Sequence, residues 1–168
     1  MAVTERDQVV ALIPRLRRYA RALVSDPGGA DDLVQDTLER ALGKFHLWKP
    51  GTDLRAWLFA IMHNVYVNQV RRRRENTSFD AETMEVPVRP SHDGALATRD
   101  LQRGLERLPS EQREVLLLVV LEDMSYQEVA AALEVPIGTV MSRLSRARDK
   151  LRVAMEGTAP STRLQVVK

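Results

Sequence analysis

The chain has 168 residues, 44% hydrophobic and 29% charged, with 25 Lys/Arg against 23 Asp/Glu and no cysteine. That length allows one or two small domains with modest cores. The missing cysteine excludes disulfides, thiol catalysis and cysteine-ligated zinc and suits a cytoplasmic protein, and neither a ~20-residue apolar span nor a secretory signal is visible.

Charge is unevenly spread. Through Arg74 there are 13 Lys/Arg against 8 Asp/Glu; residues 75–94 hold one against five; the remainder holds 11 against 10. A basic front, an acidic middle and a balanced end read as two bodies and a connector. Helical periodicity predominates, so the expected class is all-α: two small helical domains joined by a flexible linker, the C-terminal one with a helix-turn-helix. The expected boundaries are 1–74, a linker at 75–94, 95–156, and a loose tail at 157–168.

In chain order, Val9, Leu12, Ile13, Leu16, Tyr19, Ala20 and Leu23 recur every three or four residues, as one face of a helix does. Asp26-Pro27-Gly28-Gly29 reads as a break, after which Asp31 and Asp32 open a second helix at its positive dipole end. Val34, Leu38, Ala41 and Phe45 form its apolar stripe. Opposite lie Asp32, Asp36, Glu39 and Gly43, with Gln35 at the edge. Such an acidic stripe is either a solvated face or a dock for a basic helix.

After Lys49-Pro50-Gly51, a third helix from about Asp53 buries Leu54, Leu58, Ile61, Met62 and Val65. Its flank carries Trp57, Asn64, Asn68 and Arg71, which either meet bases and phosphates or simply combine core and solvent exposure. Arg71, Arg72, Arg73 and Arg74 suit the helix end, and four adjacent arginines exceed what the dipole needs, which points to phosphate contact.

Beyond the linker, Leu101, Leu105 and Leu108 mark a helix ended by Pro109. Ser110 is the expected N-cap of the next, whose run Val115 to Leu121 is apolar nearly all round and should be buried. Ser125 and Glu128 have capping-box spacing, and Val129, Ala130 and Leu133 form an apolar face. Pro136 can begin the following helix. Two helices across so short a turn, with Ala130, Ala131 and Gly138 expected at the crossing, have the form of a helix-turn-helix. At about 100° per residue, Val140, Leu144, Ala147 and Leu151 share the buried side of the second helix, and Gly138, Ser142, Ser145 and Asp149 lie opposite. Met141 and Arg146 flank these; Arg143, Arg148, Lys150 and Arg152 stand further round. Small residues in the centre allow close entry to a major groove, with arginines for phosphates and Arg146 for a guanine edge.

His46, His63 and His92 are too scattered for a metal-ligand motif, and no phosphate-cradling loop or nucleophile elbow occurs. No enzyme, cofactor, metal or small-molecule substrate is expected.

The segments DDLVQDTLERAL (residues 31–42) and WLFAIMHNVYVNQVRRRR (57–74) resemble region two of bacterial RNA polymerase sigma factors, sigma-70 family. LPSEQREVLLL (108–118) and SYQEVAAALEVPIGTVMSRLSRARDKL (125–151) resemble region four. With two domains and a short linker, the chain resembles the extracytoplasmic-function (ECF) class over roughly residues 8–155. The resemblance implies that Asp32, Gln35, Asp36 and Glu39 dock the β′ clamp helices of core polymerase, while region four meets the β flap. It implies that the loop from His46 to Arg55, with Trp57, His63, Asn64, Asn68 and Arg71 to Arg74, recognises and melts the minus-ten element. It places Thr139, Met141, Ser142, Arg143, Ser145, Arg146 and Arg148 at duplex minus-thirty-five DNA. The linker would pass towards the polymerase active-site channel. A cytoplasmic chain, held by an anti-sigma factor that is often at the inner membrane, is also implied. The sequence departs from the family at Met141, where members often carry a basic residue, and at Ser145, where the side chain is often larger. Both offer fewer base hydrogen bonds, which shape readout or a different promoter sequence would offset. Competing readings are a stand-alone helix-turn-helix regulator, which leaves the acidic stripe and arginine run unexplained, and a sigma mimic, which the basic surfaces oppose.

Overall fold

The computed structural model describes residues 3–77 and 96–157. These form seven α-helices: α1 (Val3–Leu23), α2 (Pro27–Gly43), α3 (Leu54–Thr77), α4 (Leu96–Arg107), α5 (Ser110–Val120), α6 (Tyr126–Leu133) and α7 (Ile137–Glu156), with a 3-10 turn at Phe45–Leu47. Of the expected linker, residues 75–77 continue α3 and the rest lies outside the described residues, as does the tail after Gly157.

Helix α2 starts earlier than expected. The Asp26 carboxylate accepts the Gly29 N–H at 2.9 Å and Pro27 occupies the first turn. An aspartate cap followed by proline is a start signal; the two glycines sit inside the first turn and do not break the chain. Leu33, Val34, Thr37 and Ala41 are buried there, whereas Leu38 is only partly so. Ser110 is not a cap either: Pro109 holds the cap position without a side-chain bond and Ser110 is the first helical residue.

Helix α3 lies between the two halves of the molecule. Leu54, Leu58, Phe59, Met62, Val65 and Tyr66 are buried, more than one stripe can account for, and Ile61 is partly covered. A helix buried on two sides loses the one-sided pattern that periodicity detects. One side packs on α2 and α1, another on α6. The buried apolar residues of α1–α3 therefore join those of α5–α7 in one continuous core.

Polar ties reinforce this contact. Glu122 in the turn after α5 is fully buried; Arg15 Nε donates to its Oε2 at 2.9 Å, and Arg18 reaches Oε1 at 3.4 Å. The Glu122 carbonyl accepts from Arg55 at the start of α3 at 2.8 Å. Arg113 of α5 donates to Leu105, Glu106 and Leu108 carbonyls at 2.7–2.9 Å and to the Leu23 carbonyl ending α1 at 2.9 Å. One guanidinium thus satisfies orphan carbonyls at the ends of two helices from opposite halves.

Candidate nucleic-acid interface

The helix-turn-helix is built locally. Ser125 Oγ accepts the Glu128 N–H at 3.1 Å while the Glu128 carboxylate accepts the Ser125 N–H at 2.7 Å, a complete capping box. Glu134 ends α6 in the left-handed region at φ 54°, and Pro136 leads into α7 from an extended conformation at the cap position. Val140, Leu144 and Ala147 are buried and Leu151 is partly so. Gly138 faces open space and Ala131 is exposed, so neither lies at the helix crossing; Val129, Ala132 and Leu133 are the buried residues of α6.

On the outer side of α7, Gly138, Met141, Ser142, Ser145, Arg146 and Arg148 are exposed and Thr139 is partly so. Ser142 Oγ donates to the Thr139 carbonyl at 3.1 Å. Arg143 differs: its guanidinium lies 3.7 Å from Glu111 of α5 and its side chain is only 24% exposed. It is partly turned toward the protein, whereas Arg146, Arg148, Lys150 and Arg152 are exposed.

In the front half, Asp32, Gln35, Asp36 and Glu39 are all exposed on α2. Asp36 accepts from Gln69 of α3 at 3.0 Å. Phe45 and Trp48 are buried below the exposed His46 and Leu47, and the Phe45 ring meets Trp57 edge-on at 5.9 Å. Trp57 is partly buried in this aromatic cluster, so most of its surface serves packing. Asn64 is exposed; Asn68 accepts from Arg71 at 3.2 Å; Arg71, Arg72, Arg73 and Arg74 are exposed at the helix end.

His63 is brought elsewhere. Its Nδ1 lies 2.7 Å from Glu114 Oε1 across the contact between the halves, with the two side chains 18% and 4% exposed. Burial, and then the Glu114 carboxylate, raise the hydroxyl pKa of nearby Tyr19 and Tyr66 above the ordinary tyrosine value; Arg113 and a Ser110 hydrogen bond partly oppose this for Tyr66. Sequence reasoning missed Arg15, Arg18, Arg113, Glu114 and Glu122, and it gave Arg55, which donates to the Glu122 carbonyl, to the minus-ten loop. The only signal was an acidic residue at each end of the apolar run 115–121. Among the described residues no His/Cys/Asp/Glu group could hold a metal, and no helix is long and apolar enough to cross a membrane.

This pairing of a helix-turn-helix with an acidic-faced helical domain coincides with two family models: the sigma2 domain of PhyR matches residues 9–63 and sigma-70 region 4 matches residues 98–151. The chain belongs to the ECF class of RNA polymerase sigma factors, which are transcription initiation factors and not enzymes. It is 38% identical over 149 residues to the ECF RNA polymerase sigma factor EcfG of Rhodopseudomonas palustris, covering 87% of this chain and 82% of the relative. It is 38% identical over 140 residues to the ECF sigma factor SigC of Mycobacterium tuberculosis, covering 77% and 72%. Among solved structures it is similar to the sigma factor RpoE in complex with the anti-sigma factor NepR from Bartonella quintana, with a TM-score of 0.82, 35% identity, and coverage of 92% and 98%.

Proposed function

We propose that this chain joins core RNA polymerase and directs it to a two-part promoter. Helix α7 enters the major groove of the minus-thirty-five element, with Arg146 at a base edge and Arg148 at phosphate. The acidic face of α2 (Asp32, Gln35, Asp36 and Glu39) docks the β′ clamp helices, and α4–α7 meet the β flap. The end of α3, from Asn64 and Asn68 to Arg74, holds the displaced minus-ten strand, with Trp57 supporting the loop above it. An anti-sigma factor, the kind of partner in the complex of its relative, keeps the chain inactive until a signal arrives. The reading gives a cytoplasmic protein.

The observation that carries this reading is the free outer face of α7, exposed from Met141 to Arg148 except at inward-turned Arg143, Leu144 and Ala147. With α6 fixed by a complete capping box, a tight turn into α7 and the outward side of α7 open, this helix is a rigid reader. His63 is the exception within the proposed minus-ten set. While the halves are in contact its Nδ1 is held by Glu114, which leaves only Nε2 of a ring that is 18% exposed for a base.

The test is transcription in vitro with core enzyme and a promoter library. A defined start-site family with two spaced elements is expected, and Arg146→Ala should abolish use of the upstream element. Failure to join core polymerase sinks the proposal. A mimic that only titrates an anti-sigma factor would instead keep its activity in the Arg146→Ala variant.

A further inference from the structure

The outer face of α7 carries more apolar surface than phosphate binding needs. Ile137 and Met141, one turn apart, are 44% and 53% exposed. One turn further on, the small Ser145 side chain helps leave a notch of about 280 Å³, lined also by Tyr126, Met141, Leu144, Arg148 and Asp149. Tyr126 comes from the first turn of α6, so the capping box at Ser125 fixes that wall.

We infer that this notch takes the 5-methyl group of a thymine, so that Met141, Ser145 and Tyr126 determine specificity at one A·T pair of the upstream element. The inference rests on the proposed entry of α7 into duplex DNA. Three observations lead to it. The thymine methyl is the one apolar group on the base edges of the major groove, and a flexible thioether beside an aromatic ring is suited to packing on it. The Ser142 hydroxyl donates its proton to the Thr139 carbonyl at 3.1 Å and the Arg143 guanidinium lies near Glu111, which leaves no free donor between Met141 and Ser145. The lining is largely apolar at Tyr126, Met141 and Leu144, and its two charged side chains, Arg148 and Asp149, are of opposite sign, so the notch has no net charge to hold a phosphate and suits a base edge.

The test uses holoenzyme formed from the full chain and core polymerase. An upstream element is selected from random duplexes, and each of its thymines is replaced in turn by uracil, which lacks only the methyl. One position should bind about four-fold more weakly, the effect of one buried methyl. Both Met141→Ala and Ser145→Leu, which fills the notch, should erase that difference. Both sites are exposed, so helix content should not change. Uracil tolerated at every position, an element lacking A·T pairs, or a Met141→Ala variant that keeps the wild-type ratio overturns the assignment. If no upstream element is selected at all, entry of α7 into DNA fails and the notch assignment falls with it; a selected element read without regard to methyls removes only the notch.

Discussion

Glu122→Gln tests whether buried charge holds the two halves together. The glutamine keeps the shape of the side chain and one acceptor oxygen but removes the charge that faces Arg15 at 2.9 Å and Arg18 at 3.4 Å. A hydrogen bond to a charged group contributes about 1.5–3 kcal/mol and a neutral one about 0.5–1.5. The arginine side chains are 36% and 56% exposed, so water recovers part of the loss. The bond from Arg55 to the Glu122 carbonyl survives, since it uses the backbone. The net cost is therefore about 1–2 kcal/mol, well below the 3–5 kcal/mol of stranding a fully buried partner. If it falls on the contact alone, the ratio of closed to open molecules drops by roughly 5- to 30-fold. Hydrogen exchange should quicken in the α5–α6 turn and along α1 near Arg15 and Arg18, with α2 unaffected. Apparent affinity for core polymerase should rise by at most the same factor if only the open form binds. Unchanged exchange in those segments, or acceleration spread evenly over all helices, would refute the reasoning.

Arg113→Lys should cost about 2 kcal/mol in urea unfolding, because an ammonium cannot span the four carbonyls that the guanidinium serves. Ser125→Ala should cost about 1 kcal/mol by removing half of the capping box. Glu134→Gly should gain about 0.5 kcal/mol, because glycine relieves the left-handed backbone at φ 54° but loses more entropy on folding. Tyr19, whose hydroxyl pKa is raised by burial first and Glu114 second, makes stability fall at alkaline pH: the unfolded chain releases this proton near the ordinary value of about 10 while the folded chain still holds it. Tyr19→Phe should flatten the decline above that pH in a denaturation series.

What was legible in the sequence is what forms locally. The capping box, the break at 134–136 and the buried side of α7 follow from spacings of a few residues, and each sits where periodicity places it. The exposed face of α2 was readable for the same reason. The start of α2 is not where the two glycines point, because the Asp26 cap and Pro27 decide the backbone there. The contact between the halves was illegible. Arg15 and Glu122 are 107 residues apart, and His63 and Glu114 are 51 apart. Nothing in the local pattern says that an acid beside an apolar run is buried with a distant partner. Hence the local pattern of α3 predicts a single buried stripe and carries no trace of the pairing of His63 with Glu114.

The chemistry of that contact bears on how such a chain can be switched. Its apolar part is continuous with both cores, but its directional ties run from Arg15, Arg18, Arg55 and Arg113, several of them partly exposed, to carboxylates and carbonyls. Long cationic side chains can exchange such partners for water at modest cost, whereas buried leucines cannot. The same α3 that carries the proposed strand-binding residues also presents Arg55 and His63 to the other half. The two uses meet at His63, whose Nδ1 is held by Glu114 in the closed form, while Asn64 and Arg71 to Arg74 stay exposed. Under the proposed function, a partner that prefers the closed form keeps the Nδ1 of His63 on Glu114, and one that prefers the open form frees it. Only a difference in affinity for the two forms can shift the balance. Glu114 and Glu122, the acids at the contact between the halves, are therefore where substitution tests whether opening matters to the proposed promoter engagement.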